Sequence, residues 1–262
     1  MEPSESKTVD KSSHGISFKV IALITALAAA DLIYAEYFFD PEIFNIKDAL
    51  YMLGIALCGI GSILVARKYV GSEMLGKAYL FLGLGFFSWF IGDVGYYYNQ
   101  FVLEIDPWPT LWDGGFLGNY LFAVLHLYLN TRYFKKKWTI PMKAVLIAIP
   151  IIAVSTFSLI AIDSWGIYDE LAFDLFYSNL FVFGISLTLA FAVVGASIFR
   201  NSILKETWLL LAIGIFLWAV ADSIYIYLET IEQFTHNHPV NALWMIAFMV
   251  IIYALYKHHK AL

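Results

Sequence analysis

Charge is scarce in this chain. Of its 262 residues only 14% are Asp, Glu, Lys or Arg, where a soluble globular domain carries roughly a quarter. So few charges exclude an ordinary water-facing surface. Cysteine is scarcer still. The single Cys58 excludes an intrachain disulfide and, lying inside an apolar run, reads as a small packing residue. The net charge of -5 comes without any basic stripe to track phosphates, which excludes nucleic acid as a partner. There is no P-loop and no dinucleotide fingerprint. No nucleophile–base pair is found either, so the chain reads as a non-enzyme with no cofactor.

What is abundant is apolar and aromatic residue types, 61% and 18% of the chain. They fall in eight blocks, at about 16–39, 48–66, 78–103, 114–134, 139–163, 173–199, 207–231 and 241–257. Each can cross a hydrocarbon core of about 30 Å as a helix. The expectation is an all-α integral membrane protein with eight transmembrane helices, behind a polar, Ser-rich tail at 1–15. Ala28-Ala29-Ala30 could pass for a signal-peptide cleavage site. The apolar run continues past it through Tyr37 and Phe38, as a retained helix does. No lysine lies within the last two blocks short of Lys257 at the very end, which removes a retinal Schiff base of the rhodopsin kind.

Basic residues set the orientation. With the N-terminus inside and eight alternating helices, 15 of the 16 Lys and Arg fall on the inner side, and only Lys47 falls outside. Both termini are then cytoplasmic, in the plasma membrane. Acids collect at the outer ends, among them Asp40, Asp48, Glu104, Asp113, Asp174, Glu229 and Glu232. Such a rim would raise the local concentration of cations. The alternative is that acids simply gather where bases are excluded.

The third and seventh blocks repeat at a spacing of 129 residues. Gly85, Trp89, Asp93 and Tyr96 form one helix stripe, and Gly214, Trp218, Asp222 and Tyr225 form another. Asp31 and Tyr34 echo it in the first block. Same-direction copies predict two parallel four-helix repeats, 16–134 and 139–258, rather than the inverted halves of many transporters. Asp31, Asp93 and Asp222 would then lie at one depth, roughly 12–15 Å from the outer ends at 1.5 Å per residue. No Lys or Arg is seen at that depth to pair with them, and a charge there is costly unless it faces a cavity or a partner.

The reading that follows is a shared, outward-open pocket lined by Asp31, Tyr34, Trp89, Asp93, Tyr96, Trp218, Asp222 and Tyr225, with Asp113, Asn119 and Tyr120 from the fourth helix. Carboxylates between aromatic faces suit a small cationic or polar ligand. The alternative is that each Asp accepts hydrogen bonds from a neighbouring hydroxyl or indole and only locks the bundle. His236 and His238, with Glu232, are a weak candidate for a metal. His126 falls on the wrong side of the bilayer for Asp93, so no His–Asp hydrolytic pair assembles. His258 and His259 read as interfacial anchors. Helices three and seven look wholly apolar inward of Trp89 and Trp218, which disfavours a conduction path.

The run Trp89-x-x-Gly92-Asp93-x-x-Tyr96, then Pro107-x-Pro109 and Asp113 ahead of the next block, covers about 35 residues. It resembles the multi-helix N-terminal membrane sensor modules that precede diguanylate cyclase, PAS and histidine-kinase domains in bacterial and archaeal signalling proteins. The resemblance implies that Trp89, Gly92, Asp93, Pro109 and Asp113 are signature positions and that the function is sensing. Here the chain ends at Leu262 without such a domain, so the expectation is a signal passed through a cytoplasmic or membrane partner. A cation, proton or amine carrier is the second expectation, and a non-catalytic subunit of a membrane complex the third.

Overall fold

A computed structural model describes residues 17–40, 43–69, 71–105, 109–166, 171–199, 205–235 and 237–261. The tail expected at 1–15 lies outside the described residues. Among those residues the chain forms eight helices and no strand: α1 (Phe18–Tyr37), α2 (Ile46–Lys68), α3 (Glu73–Tyr98), α4 (Asp113–Phe134), α5 (Ile140–Trp165), α6 (Leu171–Phe199), α7 (Lys205–Thr230) and α8 (Val240–Ala261). One π-turn, Asn99–Leu103, extends α3. Helices are what an apolar solvent demands, since each backbone N–H and C=O must be satisfied within its own segment. Where α2 starts, Asn45 and Asp48 form a capping box, with the Asn45 N–H donating to Asp48 Oδ2 at 2.8 Å. Basic residues close the last turns of α2, α4 and α8, facing the negative end of each helix dipole.

Seven of these helices are long and apolar enough to cross a membrane, and the protein is a multi-pass membrane protein on that ground. The exception is α4, which carries Asp113, Asn119, His126, Asn130 and Thr131, all buried. Its polar groups face protein rather than lipid, which is how such residues are tolerated at membrane depth.

Six helices close into a ring. Each of α2, α3, α4, α6, α7 and α8 packs on the next, and α8 packs back on α2. Outside the ring, α1 leans on α8 and α2, and α5 leans on α6 and α7. Both outer helices leave Leu, Ile and Phe side chains such as Leu23, Ile33, Ile152 and Leu159 exposed, as lipid-facing surfaces do. At mid-depth the ring is filled by aromatic rings. Trp89 and Trp218 meet with centroids 5.2 Å apart, Phe86 packs beside both, and Tyr120 lies parallel to Trp218 at 5.7 Å.

Without a hydrophobic drive between helices in lipid, close packing has to hold them, and small residues permit it. A Cβ at Gly115 of α4 would stand 2.6 Å from the Ser88 carbonyl oxygen and 2.7 Å from Gly92 of α3. One at Gly95 would sit 1.9 Å from the Trp112 ring. Gly115→Ala therefore forces α3 and α4 apart against backbone that cannot yield. The expected loss is about 1–3 kcal/mol, read as a lowered melting temperature in detergent.

The end of the bundle that holds the C-terminus of α8 is not apolar inside. Tyr69 OH bonds His258 Nε2 at 2.6 Å, Tyr79 OH bonds His258 Nδ1 at 3.0 Å, and His126 Nδ1 donates to the Ala78 carbonyl at 2.9 Å. His258 is thus a buried tie between α8 and α3 and not the interfacial anchor expected from its place in a basic tail. Burial pushes the Tyr69 phenol up to about 12, so it serves as a neutral hydroxyl. Tyr79 also corrects the expectation that α3 is wholly apolar inward of Trp89.

Candidate functional site

At the opposite end, the ring opens around a hollow of about 500 Å³. Small-molecule sites span about 300–1,000 Å³. Every ring helix contributes to its wall: Lys47, Asp48 and Tyr51 from α2, Trp89, Asp93, Tyr96 and Tyr97 from α3, and Asp113, Phe116, Asn119 and Tyr120 from α4. Ser178 and Phe181 come from α6, Asp222, Tyr225 and Glu229 from α7, and Asn241, Trp244 and Met245 from α8. The outer α5 adds Trp165, whose indole N–H donates to the Thr230 carbonyl at 3.0 Å. Positions 129 apart face the same hollow: Asp93 and Asp222, Tyr96 and Tyr225, Phe116 and Met245.

Eight of the eleven residues expected to form the pocket do line it: Trp89, Asp93, Tyr96, Asp113, Asn119, Tyr120, Asp222 and Tyr225. Trp218 lies beneath, buried under Tyr120 as part of the floor. Asp31 and Tyr34 belong to α1, outside the ring, and do not reach the wall. Tyr34 OH donates instead to Asn45 Oδ1 at 3.4 Å. A helix one layer out cannot share an interior with ring members, whatever its depth.

The acids differ in what satisfies them. Asp222 is held on both oxygens, by the Trp244 indole N–H at 2.6 Å and the Tyr120 hydroxyl at 2.8 Å. Asp113 opens α4 and accepts the Thr110 N–H and the Tyr177 hydroxyl on Oδ2, each at 2.7 Å. Asp31 faces Lys47, with Oδ2 and Nζ 3.7 Å apart and side chains 11% and 7% exposed. That pair overturns the expectation that no base lies at this depth. Lys47 starts α2 at the rim, yet its long side chain runs inward to the level of Asp31. Among the described acids of the wall, Asp93 is the one with a buried oxygen left unmet: it is 7% exposed, and its Oδ2 has no hydrogen-bond donor.

The arrangement is an aromatic chamber with, among the described residues, five carboxylates and one ammonium in its wall. Ion pairing to Asp93 and cation–π attraction to Tyr51, Trp89 and Trp244 are the chemistry on offer. Sequence reading did not place Lys47, Tyr51, Phe181, Glu229 or Trp244 in the pocket. The solitary base on an acidic face marks Lys47, and the i, i+3, i+4 spacing of Asn241, Trp244 and Met245 marks the α8 stripe. Of the metal candidates, only Glu232 and His238 fall within the described residues. His238 Nδ1 accepts the Val240 N–H at 3.1 Å, next to the start of α8, and His236 lies outside the described residues. Among the described residues no three His, Cys, Asp or Glu groups gather as a metal site.

Ring, lipid-facing outer helices and chamber together define a polytopic helical membrane protein with a ligand-sized interior. Set against protein-family models, curated proteins and solved structures, the chain matches none.

Proposed function

We propose that this protein is a receptor-like sensor that takes a small cationic or polar ligand into the chamber and signals through a partner. The unmet carboxylate of Asp93 in a ligand-sized hollow carries this reading. A buried carboxylate without a donor is costly at membrane depth, and a cation arriving beside it removes that cost. The W-x-x-G-D resemblance supports sensing, since Asp93 is its acid. The basic residues support an outward-facing chamber, because Arg67, Lys68, Arg132, Lys135, Lys136 and Lys137 cluster at the other end. The ring order α2–α3–α4 followed by α6–α7–α8 is what two parallel repeats would produce.

A carrier is the second reading, favoured by one observation: the buried Tyr69–His258–Tyr79 group toward the basic end. Between that group and the chamber lie the Trp89–Trp218 pair, Phe86, Leu82 and Ile215, a dry layer that weighs against a continuous path. Melting temperature in detergent across a panel of inorganic and organic cations tests the chamber. A rise for some cation is expected, and no rise for any would remove the receptor reading. Coupled uptake of that cation into proteoliposomes would transfer the assignment to the carrier. Orientation has its own test. In a Cys58→Ala background, an impermeant maleimide on intact cells should label Glu104→Cys and spare Lys136→Cys, and the reverse would invert the topology.

A further inference from the structure

We infer that the ligand carries two charges, an ammonium that seats at Asp93 and an anionic group that seats at Lys47. The inference rests on the proposed receipt of a cation by Asp93 and adds the opposite pole. Among the described residues Lys47 is the one base in the wall of the chamber, and it is 7% exposed. Its partner Asp31 stands outside the wall at 3.7 Å, close enough for an ion pair and too far for a hydrogen bond. Asp31 Oδ2 has no hydrogen-bond donor at all. The ammonium is therefore neutralised by an ion pair and lies over the Phe39 ring at 5.7 Å, with no hydrogen bond to fill its N–H donors, which is the state a carboxylate or phosphate would complete.

Across the same hollow Asp93 offers the mirror deficiency, an acceptor without a donor. Lys47 pairs with Asp31 and forms no ion pair with Asp93, so neither group already satisfies the other. One molecule long enough to reach both satisfies both. Its net charge is zero, so it adds none to an enclosed site within the membrane, where net charge is expensive. The aromatic side chains of the same wall, Tyr51 and Trp89 foremost, suit an apolar body. The chemical class is thus a zwitterion with separated charges and an apolar spacer, of which the ω-amino acids are the simplest members.

The test is a chain-length series of ω-amino acids on the purified full chain, each beside the alkylamine and the alkanoate of matched length. Affinity is read from the shift in melting temperature with concentration. At the best length the zwitterion should bind roughly ten-fold more tightly than its amine, the size of one charge-assisted hydrogen bond. Lys47→Met should cancel that excess and leave amine binding in place. Should Lys47→Met fail to fold, Asp31→Asn decides. It keeps the ammonium, frees it from its partner, and should raise the excess further. Equal binding of amine and zwitterion at every length, unmoved by Asp31→Asn, overturns the two-charge ligand while the cation site stands. Absence of any shift by amines and zwitterions alike overturns the cation site itself.

Discussion

Asp93→Asn is expected to abolish every cation-dependent rise in melting temperature and leave the empty protein as stable as wild type or more so. A ligand present at a hundred times its dissociation constant stabilises by about 2.7 kcal/mol, or about 5–10 °C for a chain of this size. That whole increment should vanish, because the amide retains the shape of the carboxylate and loses its charge. Stability should not fall, since Asp93 Oδ2 receives no hydrogen bond that the change could break. Removing a buried, unpaired charge relieves a cost. Function and stability then move in opposite directions, which a purely structural Asp93 does not allow. A variant that melts lower while keeping its ligand response would return Asp93 to the role of a packing residue.

Asp222→Ala should behave in the opposite way. It strips the acceptor from two buried donors at once, the Trp244 indole N–H and the Tyr120 hydroxyl. Each donor left without a partner costs about 1–3 kcal/mol. Together they predict a loss of about 2–6 kcal/mol and a melting temperature lower by roughly 5–25 °C. Tyr120 also lies parallel to Trp218, so freeing its hydroxyl loosens the floor of the chamber. Asp222→Asn keeps one acceptor and should fall between the two. A variant of Asp222 as stable as wild type would mean that the staple through α4, α7 and α8 contributes nothing. The copies at 93 and 222 thus divide the labour, one left open and one tied down.

That division could not be seen in a single chain of letters. The repeat at 129 residues presents Asp93 and Asp222 as equals, since each follows a tryptophan by four and precedes a tyrosine by three. What separates them is which neighbour arrives from across the ring. Trp244 comes from α8, which packs on α7, and Tyr120 comes from α4, far along the sequence. Asp31 misleads for a related reason. Its place along α1 was legible, and its layer was not, because a membrane helix reads the same whether it lines an interior or leans on one. Lys47 was misplaced because a long side chain carries its charge well away from its backbone position. His258 was misread because a basic tail ordinarily faces water, and only the approach of Tyr69 and Tyr79 makes it interior.

The number and rough limits of the helices, the membrane itself, the acidic and basic ends and the Trp89–Asp93–Tyr96 stripe were settled by sequence alone. Lipid makes them legible, because an apolar solvent allows few backbone solutions and sorts residues by polarity along a single axis. The sideways order of the helices has no such axis. Ring membership, the chamber, the Asp31–Lys47 pair and the solitary openness of Asp93 follow from side-chain fit between segments distant in the chain. Tertiary packing alone decided those.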